Sequence, residues 1–131
     1  MKGKILIVDD ELSIRDLFAE TFSEADYDVR LAENGEQALN ILKVERIDVI
    51  FLDLRLFGMN GIELCREIRR TNSLSLIYAV TGWAALFEIE ECRQAGFDDY
   101  FTKPVKLEMI SNAVEYAFEK LGRWKRRYNA L

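Results

Sequence analysis

The sequence predicts a doubly wound α/β domain, a three-layer sandwich whose five parallel strands run in the order 2-1-3-4-5. Three observations carry this expectation. Five short β-type runs, near 4–8, 28–32, 47–52, 76–80 and 98–102, each precede a stretch of helical period, and such alternation gives a parallel sheet covered on both faces. The runs at 4–8, 47–52 and 76–80 are nearly all Ile, Leu, Val, Phe or Tyr, as central strands buried on both sides require. The run at 28–32 alternates and that at 98–102 is half polar, which suits edge strands. Right-handed crossovers with the second and fifth strands at the edges are satisfied by 2-1-3-4-5. Finally, 131 residues, half of them apolar, suffice for one core and not for two.

Each element has its own justification. The first strand, Ile5-Leu6-Ile7-Val8, runs straight into Asp9-Asp10. Ile14, Leu17, Phe18 and Phe22 make the apolar stripe of the first helix, with Ser13 its expected N-cap. After the second strand, Asn34-Gly35 opens a helix carrying Ala38, Leu39, Ile41 and Leu42. Val49-Ile50-Phe51-Leu52 ends at Asp53, and Leu64, Cys65 and Ile68 turn the third helix toward the sheet. The fourth strand ends at Thr81, and its helix, near 84–95, stops at Gly96. The fifth strand leads to Lys103-Pro104. In the last helix Leu107, Ile110, Val114, Ala117, Phe118 and Leu121 would cover the sheet, yet Trp124 and Tyr128 continue the period. A helix from 107 to 128 is ~33 Å long against ~20 Å for a six-residue strand, so about two turns overhang. This divides the chain into a domain over 1–121 and a basic helical extension or linker stub over 122–131.

Composition removes several functions. The chain has no histidine, which excludes Ser-His-Asp and Cys-His catalysis and histidine-ligated zinc. Cys65 and Cys92 lack CxxC spacing and read as reduced core thiols of a cytoplasmic protein. No apolar span approaches the ~20 residues of a membrane crossing, and the acidic start is no signal peptide. The net charge of −5 hides an acidic body. Four of the 18 cations, Arg123, Lys125, Arg126 and Arg127, lie at the very end and leave −9 over residues 1–122. Such a body repels nucleic acid, so neither nucleic acid nor membrane is an expected partner of the domain, and the basic tail reads as a solvated helix end.

In open α/β sheets the ligand site lies beyond the carboxyl ends of the strands. Those ends carry Asp9 and Asp10, Asp53, Thr81 and Lys103. Two carboxylates ~5 Å apart repel by ~3 kcal/mol at an effective dielectric near 20, so three in one crevice need counter-charge. Lys103 supplies one unit, and all-oxygen ligands without His or Cys suit a hard divalent ion such as Mg²⁺. Any one of these residues alone reads as an ordinary strand-end turn residue. All five at one edge read as a site.

Four motifs, Ile5-Leu6-Ile7-Val8-Asp9-Asp10-Glu11, Asp53-Leu54-Arg55-Leu56-Phe57-Gly58-Met59-Asn60-Gly61, Thr81-Gly82 and Asp98-Asp99-Tyr100-Phe101-Thr102-Lys103-Pro104, resemble those of two-component response-regulator receiver domains, a flavodoxin-like fold. The resemblance covers nearly all of residues 3–121. It implies a phosphoprotein of a phosphorelay in which Asp53 takes a phosphoryl group from a phosphohistidine on a histidine kinase or phosphotransfer protein. Asp10, Asp53 and the backbone carbonyl of Arg55 would ligate Mg²⁺, with Asp9 acting largely through water. Lys103 and Thr81, with the amide of Gly82, would bind phosphoryl oxygens. The resemblance also implies a cis bond at Lys103-Pro104 that aims the ammonium inward, and a switch aromatic at Tyr100. Read from the residues alone, Tyr100 is an edge-strand tyrosine with its hydroxyl in water. Such domains are regulatory, not enzymes beyond assisting their own phosphorylation and dephosphorylation. They control an output domain or downstream protein, transcription regulators among them, and a homodimer is a further partner to expect.

Three departures from the family pattern stand out. Phe57 replaces the usual proline and is expected to pack on the third helix. Arg55 and Trp83 occupy the positions that flank hydrolytic water, where a guanidinium beside an indole would slow self-dephosphorylation. Ala113, with Glu115 nearby, stands where regulators with winged-helix outputs carry an arginine, and the run from Lys103 to Leu107 looks more like receivers of enhancer-binding ATPases, hybrid kinases or stand-alone proteins. A non-phosphorylated interaction module predicts damage at the acidic pair, Asp53 or Lys103, and all are intact. A haloacid-dehalogenase-like enzyme wants a second Asp where Arg55 stands, and a nucleotide or flavin binder wants a glycine-rich phosphate loop that is missing.

Overall fold

The fold, taken from a computed structural model, is described for residues 2–82 and 86–129. Five strands, β1 (Lys4–Val8), β2 (Asp28–Ala32), β3 (Val49–Asp53), β4 (Leu76–Thr81) and β5 (Asp99–Thr102), alternate with α1 (Leu12–Glu24), α2 (Gly35–Val44), α3 (Gly61–Thr71), α4 (Leu86–Ala95) and α5 (Leu107–Asn129). All pairings are parallel and the order is β2-β1-β3-β4-β5, as expected from the strand chemistry. Every residue of β3 and β4 is buried, whereas β5 is exposed or half-buried throughout.

The sheet separates two apolar clusters. Leu6, Val8, Ile50, Leu52, Ile77 and Ala79 point toward α2, α3 and α4, where Ala38, Leu64, Cys65, Ile68 and Cys92 meet them. Ile5, Ile7, Val49, Phe51, Tyr78 and Val80 point the other way, to Phe18 and Phe22 of α1 and to Ile110, Val114 and Ala117 of α5. The period of two along each strand does this directly. Aromatic rings collect on the second side: Phe22 stacks on Phe51 at 5.8 Å, and Phe51 meets Tyr78 at 5.3 Å.

Helix ends follow the sequence in part. Asn34 caps α2 through Gln37 N at 2.9 Å, and Asn60 caps α3 through Glu63 N at 2.9 Å. Gly96, at φ +107°, closes α4 in the left-handed region. The expected start of that helix near residue 84 falls outside the described residues. The N-cap assigned to Ser13 is corrected: α1 begins at Leu12 behind Glu11, with no side-chain cap. Its first turn is fixed instead by Asp9, whose Oδ1 accepts from Glu11 N at 2.9 Å. The stripe of α1 also differs. Arg15 is buried with Phe18 and Phe22, while Leu17 is 37% exposed.

The last helix overhangs the sheet as its period demands. Its 23 residues span ~34 Å, and beyond the buried Ile110, Val114 and Ala117 the stripe emerges at Trp124 and Tyr128, 65% and 77% exposed. Among the described residues no helix is long and apolar enough to cross a membrane.

Candidate functional site

Register brings the strand ends level. Val8 pairs with Leu52, Asp53 with Val80, and Thr81 with Thr102, so Asp9, Asp53, Thr81 and Lys103 open on one edge of the sheet. Backbone bonds hold them there: Asp9 N donates to Ala32 O at 3.1 Å, and Lys103 N to Thr81 O at 2.8 Å. Asp9, Asp53 and Thr81 are buried, whereas Asp10 and Glu11 are exposed. The Lys103-Pro104 bond is cis.

The ammonium of Lys103 is the centre of the crevice. Its Nζ lies 3.0 Å from Asp9 Oδ2, 3.0 Å from Glu11 Oε1 and 3.2 Å from Asp53 Oδ2. The other oxygens of the two buried acids also have donors, since Asp9 Oδ1 accepts from Glu11 N and Asp53 Oδ1 accepts from Arg55 N at 3.1 Å. One carboxylate oxygen from each of Asp9, Asp10, Glu11 and Asp53 lies within 4.8 Å of the others. That donor set is all oxygen and anionic, which suits a hard divalent cation.

The electrostatics follow from burial against pairing. Burial is the strongest influence on Asp9 and pushes its carboxyl above the usual range, only partly offset by the Glu11 amide and Lys103. Burial also opposes the Lys103 ammonium, yet its hydrogen bonds to Asp9 and Glu11 and the charges of Asp53 and Asp9 outweigh it, so the group is held above the usual lysine range. Lysine is therefore charged at every physiological pH.

Asp9, Asp10, Asp53 and Lys103 thus converge, and Thr81 lies fully buried at the end of the adjoining strand. Arg55 meets the site through its backbone N, while its guanidinium turns away to Glu88 Oε1 at 2.8 Å. Phe57 does not pack on α3 as expected: it is 90% exposed. Leu56 takes the buried position in that loop, and Gly58, at φ +81°, turns the chain, which leaves the ring outward. Tyr100 is 41% exposed on the edge strand. Trp83 lies outside the described residues.

Three neighbours escaped the sequence reading. Glu11 is a third acid on Lys103, and its place directly after Asp10 was the available signal. Arg15 donates to the Asp9 carbonyl at 2.8 Å and lies 3.6 Å from Glu33; its place three residues before Phe18 and seven before Phe22 marks the buried face of α1. Glu88 had no signal, because only the folded chain brings α4 beside Arg55.

The profile of the response regulator receiver domain family matches residues 5–115. The chain is 36% identical over 115 residues to the sporulation initiation phosphotransferase F of Bacillus subtilis, covering 88% of this chain and 93% of that protein. It is 38% identical over 115 residues to the alkaline phosphatase synthesis transcriptional regulatory protein PhoP of the same organism, covering 88% of this chain and 48% of that one. Among solved structures, a CheY-like response regulator receiver domain protein from Methanospirillum hungatei superposes with a TM-score of 0.89 at 26% identity, over 92% of this chain and 97% of the other. On its fold, its strand-end motifs and these relatives, the chain belongs to the response regulator receiver domains of two-component systems.

Proposed function

We propose that the chain accepts a phosphoryl group on Asp53 from the phosphohistidine of a histidine kinase or phosphotransfer protein, and signals by a change of surface to an output domain or downstream protein. The observation that carries this reading is the Lys103 ammonium 3.2 Å from Asp53 Oδ2, with Arg55 N on the other oxygen. The carboxylate is thereby oriented, and its charge partly neutralised, before any donor arrives. In the transfer an Asp53 oxygen attacks phosphorus as the P–N bond of the donor breaks, and the electron pair returns to the imidazole. No proton need leave the acceptor, so positioning and charge are what the protein must supply.

Lys103 would stay on the transferred group, while the Thr81 hydroxyl and Gly82 amide would bind a further oxygen. Asp9, Asp10, Asp53 and the Arg55 carbonyl would hold Mg²⁺, and the oxygen-only donor set fits that ion. When bound, the ion supplies neutralisation of the phosphoryl oxygens. Residues 1–121 would form the receiver and 122–131 a helical extension, in a cytoplasmic protein whose two buried thiols are free. The test is intact mass after incubation with phosphoramidate and MgCl₂. A single phosphoryl adduct on the wild-type chain that disappears in Asp53→Asn is expected. A chain that takes no adduct would instead be a non-phosphorylated interaction module.

A further inference from the structure

Arg55 is bound to the phosphoacceptor by its backbone, yet its side chain serves another element. Its Nη2 donates to Glu88 Oε1 at 2.8 Å, and Glu88 stands in the first turn of α4. The two partners differ in freedom: the Glu88 side chain is 9% exposed and that of Arg55 56%. The acid is nearly buried, while the guanidinium it holds is more than half exposed on the loop that follows Asp53. Arginine is also the cation whose planar fork matches phosphate geometry. A phosphoryl group on Asp53 would place a charge of about −1.5 to −2 and three strong acceptors beside the backbone of Arg55.

We propose that Glu88 is a positioning residue for the phosphorylated site: it holds the Arg55 guanidinium against α4 while Asp53 is unmodified, and competes with the phosphoryl oxygens for it afterwards. The proposal rests on Asp53 being the phosphoacceptor. One cation is then shared between the first turn of α4 and the phosphoryl group, so whatever strengthens one contact weakens the other by the same free energy. Phosphate is lost when a water oxygen attacks phosphorus and the P–O bond to Asp53 breaks, which returns the carboxylate and inorganic phosphate. A guanidinium laid on the phosphoryl oxygens obstructs that approach. Release of Arg55 from Glu88 therefore lengthens the life of the aspartyl phosphate.

The experiment loads the full chain with phosphoramidate and MgCl₂, removes the donor, and follows release of inorganic phosphate. Glu88→Gln is expected to lengthen the half-life about threefold, the scale of one half-exposed ion pair, and Arg55→Ala to shorten it. Glu88→Asp, which keeps the charge, falls between the wild type and Glu88→Gln. In the Arg55→Ala background Glu88→Gln changes the half-life by less than about 1.5-fold, because there is no guanidinium left to release. A packing role for Glu88 would give the same shift in both backgrounds, and that result overturns the proposal. Should Glu88→Gln not fold, Arg55→Ala at an exposed position still decides, since an unchanged half-life there overturns it alone. An adduct on the wild type with these rates unmoved refutes only the role of Glu88; no adduct on the wild type refutes the phosphoacceptor reading and this proposal with it.

Discussion

Lys103→Met removes the charge at the centre of the crevice while keeping an unbranched apolar stem in place. In the wild type the ammonium sits 3.0 to 3.2 Å from three carboxylates. Two of them, Asp9 and Asp53, are only 2% and 4% exposed, with oxygens within 4.8 Å of each other. Charges at that distance repel by ~3.5 kcal/mol at an effective dielectric of about 20. Protonation sets a ceiling, because forcing one carboxyl to be neutral at pH 7 costs ~4 kcal/mol from a reference near 3.9. Glu11, more than half exposed, adds little. The expected loss without divalent metal is thus ~2–4 kcal/mol. With 131 residues and an unfolding entropy of ~2.1 cal/mol/K per residue, that lowers Tm by ~7–15 °C. The assay is thermal unfolding by circular dichroism in EDTA. In the variant the burial that raises the Asp9 carboxyl is no longer opposed by Lys103, so the deficit is complete at pH 7 and closes as pH falls and Asp9 takes up a proton. Addition of MgCl₂ should recover more of the Tm in the variant than in the wild type. A variant Tm within ~1 °C of wild type in EDTA at pH 7 would refute this account, since one degree corresponds to less than ~0.3 kcal/mol.

Other perturbations test the packing and the burial elsewhere in the fold. A Cβ on Gly61 would lie 2.3 Å from Asp53 O and 2.8 Å from Leu54 Cα, so Gly61→Ala should cost ~2–3 kcal/mol in urea unfolding. Gly58→Ala meets no atom within 4 Å and strains only a φ of +81°, for about 1 kcal/mol; a larger loss at Gly58 than at Gly61 would contradict the packing. Arg69 donates to Gly96 O at 2.7 and 3.0 Å, to Ser75 O at 2.6 Å and to Asp98 Oδ2 at 3.0 Å, so Arg69→Met should cost ~3 kcal/mol. Hydrogen exchange should then rise first at the end of α4 and the start of β5, and unaltered protection there would sink the idea. In alkali, burial holds Cys65 and Tyr78 up at about 12, against ordinary values of 9.0 and 10.0, and Lys103 stands above its ordinary 10.5 despite burial, through Asp9, Glu11 and Asp53. All three folded values are raised, so their stabilisation is complete below those ordinary values and is lost as pH climbs toward the folded ones, at up to ~1.4 kcal/mol per pH unit per group. The decline should begin near pH 9, and Cys65→Val should flatten its first part; an unchanged curve in that variant would assign the decline to other groups.

What was legible in the sequence was whatever the backbone alone decides. Strand order followed from which runs tolerate water, and the positions of Asp9, Asp53, Thr81 and Lys103 followed from where those runs stop. Side chains with reach were harder to read. Arg55 was placed beside Asp53, but its guanidinium ends on Glu88, 33 residues onward, a distance that no local period encodes. An aromatic at position 57 favours packing, but its neighbours Leu56 and Gly58 decide otherwise. Ser13 had the chemistry of a cap but stands one residue inside α1, because the Asp9 side chain already ties down Glu11 N.

The sheet, one layer thick, acts as a bulkhead between two compartments. Val49 and Phe51 of β3 face the ring-lined side with α1 and α5, and Ile50 and Leu52 face the aliphatic side with α2, α3 and α4. A change of volume in one compartment meets backbone, not side chains, on its way to the other, and paired core substitutions across the sheet should therefore add. Communication between the two sides is left to the rim where the strands stop and Lys103 gathers its acids.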